Sequence, residues 1–345
     1  MASLPEPLIE HFGKTWTLEA PVVAALADLG GRVAGFACGD GFIRLFDFET
    51  GESKDVAAHG DGAALCLAPD IRPGGFLSGG DDGRLVRVLA NGETSEVLNV
   101  QGKWIEHVAS HAGEKLIAAG AGKQAILLGP KGERRLDHPS TVGGVGFAPQ
   151  GKRLAVAHYG GVSLWWTASE GSAKVLPWKG SHIALSFSPD GKHVMTGMQD
   201  GELHGWRLAD GQDMRMSGYA AKPLSLAWIE KPPFLASSGS EAVVLWPFSG
   251  KDGPMGKPPL EIGQGGGALV TAVAAHPSIP VVVAGFENGL AIAADVVSKR
   301  TITVKNPGDG RVSALAWSGD GRYLLIGTEE GYAGIFDQKA SVAVT

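Results

Sequence analysis

One phrase recurs along the chain and constrains its fold more than any other feature. An apolar strand leads into a turn of Ser/Ala-Pro-Asp-Gly type. A second strand, an Asp-Gly-like turn and a third strand ending in an aromatic follow. The fifth copy reads IALSFSPDG (Ile183–Gly191), KHVMTGMQDG (Lys192–Gly201) and ELHGWRLADG (Glu202–Gly211). The eighth reads ALAWSGDG (Ala314–Gly321), RYLLIGTEEG (Arg322–Gly331) and YAGIFDQ (Tyr332–Gln338), and the first runs from Val22 to Asp47. The aromatic position falls at Phe46, Val88, Leu127, Trp165, Trp206, Trp246, Ala294 and Phe336, at intervals of 42, 39, 38, 41, 40, 48 and 42. The one long interval holds Gly250–Gly267, a Gly/Pro-rich insertion expected to be a flexible loop.

A period of about 41 residues, filled by short strands and turn residues, is the signature of a propeller of four-stranded blades. Apolar side chains alternate in Ile183–Phe187 and Val194–Thr196, as strands require, and helical spacing is absent. The expected fold is all-β: a single closed propeller over 21–345, with 1–20 as an N-terminal segment. Eight copies favour eight blades. Seven is the alternative, because the third copy (Ile105–Gly129) lacks both the Asp and the aromatic. Outer fourth strands are expected at Lys54–Ala58, Ser95–Val100, Glu133–Leu136, Lys174–Leu176, Met214–Ser217, Leu260–Ile262 and Thr301–Lys305. The last blade must borrow its outer strand from a terminus, either Thr15–Leu18 or Ser341–Val344.

Composition narrows the function classes. Of 345 residues 52 are Gly and 20 Pro, and 44% are hydrophobic, enough apolar material for a large core rather than a disordered chain. The net charge of −6 provides no basic field for nucleic acid or an anionic membrane. No apolar run approaches the length of a bilayer span, and MASLPEPLIEHFGK lacks the pattern of a secretory signal. Cys38 and Cys66 each sit in an apolar run and read as reduced, inert core thiols. A cytoplasmic monomer is expected, and the high Ala and Gly share suggests a bacterial one.

At this point the residues carry a resemblance. Phe46-Asp47 and Phe336-Asp337 look like the WD dipeptide, with Trp165, Trp206 and Trp246 in the same place. SFSPDGKHVMTG and AWSGDGRYLLIG resemble the central stretch of WD40 repeats. The likeness runs from Pro21 to Gln338, with copies three and seven degenerate. It implies a structural tetrad in copy five of His182, Thr196, Asp200 and Trp206. Copy two keeps Ser78 and Asp82 but has Val88 for the Trp, so copies two, three and seven are expected to rely on packing and backbone ladders alone.

Catalytic and cofactor motifs are missing. Gly13–Thr15 (GKT) has no upstream Gly, Gly120–Lys123 (GAGK) precedes no helix, and Gly263–Gly267 reads as a loop. There is no nucleophile elbow, His-Glu-x-x-His or Cys-x-x-Cys. His107 and His111 are four apart without a third ligand, and His182, His193 and His204 fall on different strands and turns. No cofactor or metal is expected.

The segments entering the first strands are more informative. QGKW (101–104), PWKGSH (177–182) and SGYAAKP (217–223) bring large aromatics and lysines to one face of a propeller. Trp104, Trp178, Lys179, Tyr219 and Lys222 are expected there, joined by Tyr159, Met198 and Phe286 from second-to-third-strand turns. Aromatic anchors ringed by cations suit a partner protein or peptide of acidic character. The leading expectation is therefore a non-catalytic interaction scaffold. A metal-handling propeller and a propeller enzyme with a channel-mouth site are the alternatives.

Overall fold

The computed structural model describes residues 6–250 and 252–342. Its secondary structure there is thirty strands and two five-residue helices, Leu8–Phe12 and Gln338–Val342. The chain falls into two compact units, residues 1–27 with 225–345, and residues 28–224.

In the first unit three antiparallel sheets are complete. One runs Leu226–Ile229, Phe234–Ser237, Val243–Pro247 and Leu260–Ile262; the next runs Val270–Ala275, Val281–Phe286, Ala291–Asp295 and Thr301–Lys305. The third runs Val312–Trp317, Tyr323–Thr328 and Tyr332–Asp337, with Gly13–Thr17 as its outer strand. Gly13 faces Phe336 and Thr17 faces Tyr332, so the N-terminal segment covers an edge that would otherwise present open backbone groups. Ile9 of the first helix is buried against Phe336, Leu324 and Val304 and anchors that segment. Ser341 lies in the short C-terminal helix rather than a strand; the rest of the alternative candidate, 343–344, lies outside the described residues. The strand Val22–Ala27 also belongs to this unit.

The second unit holds Val33–Cys38, Phe42–Asp47 and Ser53–Ala57, then two four-stranded sheets spanning Ala64–Asn99 and Ile105–Asp137. A six-stranded sheet follows, from Val142–Phe147 to Asp213–Met216. The described residues thus form seven sheets, and the expectation of eight separate blades is corrected. The cause is not the degenerate third copy, which builds a complete sheet. Arg153–Trp166 and Lys174–Phe187 are extended runs of 14 residues with no intervening loop; the first doubles back, since the Thr167 N–H donates to the Lys152 carbonyl (3.2 Å), and pairing between the two runs joins copies four and five. The pairing between them skips from Tyr159↔Ser181 to Gly161↔Pro177, at Gly160 and Gly161, whose φ angles of 96° and 137° suit only glycine.

The repeated turn has a direct physical reading. In SPDGK the Ser188 hydroxyl donates to Asp190 Oδ1 (2.7 Å) and accepts from the His193 N–H (2.9 Å), while Asp190 accepts from the Lys192 N–H (3.0 Å). SGDGR repeats this with Ser318, Asp320, Arg322 and Tyr323. In the first copy Asp28 takes the serine's place and accepts four N–H groups, from Gly30, Arg32, Val33 and Gly74. Each turn thereby supplies polar partners to backbone groups that the ladder leaves open.

First strands are also tied sideways to their neighbours. The Thr271 hydroxyl donates to the Val312 carbonyl (2.6 Å), Ser313 to Val22 (2.5 Å) and Ser225 to Val273 (3.3 Å). At Gly143 no side chain fits, because a Cβ would stand 2.1 Å from the His182 carbonyl oxygen. The aromatic position is a core position in seven copies, where Phe46, Val88, Leu127, Trp206, Trp246, Ala294 and Phe336 are buried whatever their size, and it is half-buried in the fourth, at Trp165.

The expected outer strands are present within a residue or two, except that Lys174–Leu176 is the start of the longer strand Lys174–Phe187. Leu260–Ile262 is one of them, so Gly250–Gly267 is not simply a loop. Gly253, Pro254 and Gly265 within it are buried, and Gly265 lies so close to the Phe286 ring that a Cβ would meet it at 2.3 Å. Lys251 lies outside the described residues.

Candidate functional site

Three buried histidine networks stand where the first strands begin in the second unit. In copy two the Asp82 carboxylate accepts from His59 Nδ1–H (3.1 Å), which leaves Nε2 to accept from the Ser78 hydroxyl (2.9 Å). Copy two therefore does not rest on packing and ladders alone; the network survives without its Trp. The order carboxylate, imidazole, hydroxyl is also that of a catalytic relay, but Ser78 is fully buried. In copy four His158 Nδ1–H donates to the Tyr159 carbonyl (2.9 Å) and Nε2 accepts from Ser163 (2.9 Å). Beside it Trp165 Nε1–H donates to His138 Nε2 (3.1 Å).

Copy five departs from the tetrad implied by resemblance. His182 Nε2–H donates to the Trp178 carbonyl (3.1 Å) and Nδ1 accepts from the Thr196 hydroxyl (2.7 Å). Both ring nitrogens are thus taken, and Asp200 has no place in the network. It is exposed, and among the described residues its carboxylate has no hydrogen bond or ion pair. Trp206 is buried against the His182 and His204 rings at 5.6 and 4.8 Å, by packing rather than through a carboxylate.

The sequence brings in His204 only as a metal-ligand candidate, although it sits two residues before Trp206 and so shares its side of the strand. Its ring, 0% exposed, stacks on Trp178 at 3.9 Å and 16° between planes. Neither ring nitrogen has a hydrogen bond; Asp213 Oδ2 stands 3.5 Å from Nε2, within ion-pair reach of a protonated ring but not aligned as a hydrogen bond. Burial pushes His204 down to about 4 against the pull of Asp213, and burial with the neighbouring His158 does the same to His138. Both rings are neutral at pH 7. Burial likewise raises Cys38 to about 11 and Cys66 to about 12, leaving both as unreactive thiols.

The loop residues divide. Trp104 is 58% exposed and Tyr159 53%, while Lys179 and Lys222 are also exposed. Trp178 and Tyr219 are half-buried. Two expected surface residues are corrected. Phe286, 0% exposed, is covered by Gly265, and Met198, 1% exposed, is a floor residue rather than a projecting one.

Around Met198 lies a cleft of about 370 Å³ lined by Trp178, Lys179, Met198, Asp200, Glu202 and Arg215. Arg215 donates to Glu202 through both Nε (2.7 Å) and Nη2. Gly180 keeps the cleft open, since a Cβ there would meet Met198 Cε at 2.5 Å and Asp200 Oδ2 at 3.3 Å.

The phosphate-loop fragments lack their setting. Gly13–Thr15 lies in a strand and Gly120–Lys123 at a hairpin turn. Among the described residues no three His, Cys, Asp or Glu side chains gather as metal ligands, and no helix is long and apolar enough to cross a membrane.

The family described as WD domain, G-beta repeat matches residues 174–207 and 298–337. Both matches begin at or just before the outer strand of one copy and end at the third strand of the next, so the repeat is offset from the copy by one strand. No curated protein matches the chain. Among solved structures, the chain is similar to the computationally designed Ika8 protein, with a TM-score of 0.75 and 18% identity over 93% of this chain and 97% of that one. Repeat, sheet topology and family matches agree with one another and support a WD40-repeat β-propeller.

Proposed function

We propose that this protein is a non-catalytic scaffold that binds a partner protein or peptide on the loop face around its central channel, formed by the loops entering the first strands and the second-to-third-strand turns. WD40 propellers are usually scaffolds of this kind. The observation that carries the reading here is the exposure of Trp104 and Tyr159. Most large aromatics in the repeats are packed, and the exposed Trp166 lies under the Arg153 guanidinium at 4.4 Å, whereas Trp104 and Tyr159 stand in solvent, Tyr159 with its N–H fixed by the Ser140 hydroxyl at 2.8 Å. Rigid aromatics of this kind dominate binding energy at interfaces. Exposed Lys179 and Lys222 on the same set of loops favour a partner with acidic residues and a salt-sensitive association rate. The protein acts as a monomer in the cytoplasm, without nucleic acid, membrane or cofactor.

The test is binding of a partner recovered from native cells, measured on purified components. Trp104→Ala and Tyr159→Ala should each weaken binding by roughly 1–3 kcal/mol and leave the melting temperature unchanged. A large fall in melting temperature with unaltered binding overturns the reading.

A further inference from the structure

We propose that the cleft beside Trp178 takes one basic side chain of the partner, arginine or lysine, with Asp200 as its counter-ion. This deepens the scaffold reading and rests on it. At about 370 Å³ the cleft is at the small end for a ligand pocket, a size suited to a single side chain.

Three features select a cation. Trp178 is a fixed wall: His204 stacks on one face and His182 holds its carbonyl, which leaves its other face for the cleft. A cation is attracted to the face of an indole, more than to any other aromatic. A charged imidazole behind the indole would oppose this, and burial keeps His204 neutral at pH 7. Asp200, on a short side chain beside Gly180, offers the unpaired carboxylate.

The cations of the cleft do not make it an anion site. Arg215 is committed to Glu202 by two hydrogen bonds and would have to give them up to turn to an anion. Lys179 is exposed at the rim on a flexible stem. The free anion is therefore held in place and the free cation is mobile. A partner segment that satisfies both carries a basic residue for the cleft, with an acidic neighbour for Lys179.

The experiment follows the indole N–H resonance of Trp178 in the full chain, assigned by its disappearance in Trp178→Phe. The probes are N-acetyl-arginine amide, N-acetyl-glutamate amide and a methyl glucoside. The arginine probe should give a saturable shift at millimolar concentration, weakened about fivefold or more by Asp200→Asn and less than about twofold by Lys179→Gln, as expected for a cation held by an indole face and one carboxylate. Because Asp200 is exposed and unbonded, Asp200→Asn should melt like the parent. Absence of a saturable shift, indifference to Asp200→Asn, or an equal response to the glutamate probe or the glucoside each overturns the proposal. If the arginine probe fails while a partner still binds through Trp104 and Tyr159, the cleft assignment falls and the scaffold reading stands.

Discussion

Mild acid should destabilise this protein well before its carboxylates titrate, and the magnitude follows from two histidines. His138 and His204 are buried, and each is pushed from about 6.5 to about 4. The folded state favours the neutral ring, so the stabilisation is complete above pH 6.5. As pH falls the unfolded chain takes up protons first, and stability is lost progressively until the folded rings protonate near pH 4. At pH 5 the loss is about 2 kcal/mol for each ring, and it approaches about 3 kcal/mol below pH 4. Together the two withdraw about 4 kcal/mol at pH 5, a large part of the 5–15 kcal/mol by which domains are usually stable. His59, His107, His182 and His193 are lowered by burial too and add in the same direction. Carboxylates act in a separate window: the Ser318 hydroxyl lowers Asp320 below its usual 3.8, so that contribution fades only in stronger acid.

The assay is thermal unfolding between pH 7.5 and 5.0 with a control, His204→Phe. Phenylalanine preserves the stack on Trp178 and forfeits no hydrogen bond, since neither ring nitrogen of His204 makes one. The variant should lose less stability than the parent between pH 7.5 and 5.0, by about 2 kcal/mol. A melting temperature that does not change over this range, or a variant with the parent's slope, refutes the reasoning.

Three further outcomes are expected. Asp82→Ala should cost about 1–3 kcal/mol in denaturant unfolding because it strips the partner from buried His59, whereas Asp200→Ala at the corresponding turn should cost almost nothing; equal effects would contradict the two networks. Removing residues 1–19 takes away Gly13–Thr17 and Ile9, uncovers the Tyr332–Asp337 edge and should produce aggregation visible by light scattering, and a soluble, cooperatively melting truncation would show that the edge needs no cover. Shortening 251–258 to a Gly/Ser turn should be tolerated, while removal of 250–267 should not, because it deletes the strand Leu260–Ile262 and the cover of Phe286; soluble, cooperative folding of the larger deletion would refute this.

The fold was legible because its signals are local and repeated. SPDGK specifies a turn through contacts within six residues, from Ser188 to His193, and each turn fixes the strands on either side. Repetition then makes even copies without an aromatic readable, since Leu127 and Ala294 occupy the same buried position as Trp206. The sheet count was harder to read. Whether Arg153–Trp166 breaks or bends depends on what a Gly-Gly pair does opposite Pro177 and Ser181, a choice made by pairing across strands and not by composition.

The site was less legible for a related reason: equivalent positions acquire different partners. The turn carboxylate is bidentate to Arg44 as Asp40, bonded to His59 as Asp82, and free as Asp200. Nothing about the Asp itself distinguishes the three. In copy one, Arg44 lies four residues on and claims it; in copy two, a histidine has an open Nδ1. In copy five Trp178 precedes His182 by four residues, and its carbonyl takes the proton that a carboxylate would have accepted. The same residue thus releases Asp200 from the core and stacks on the neutral His204 that backs the cleft. A family pattern predicts the structural role of that Asp. The departure from the pattern, a Trp at 178 and a His at 204, leaves its charge available for binding.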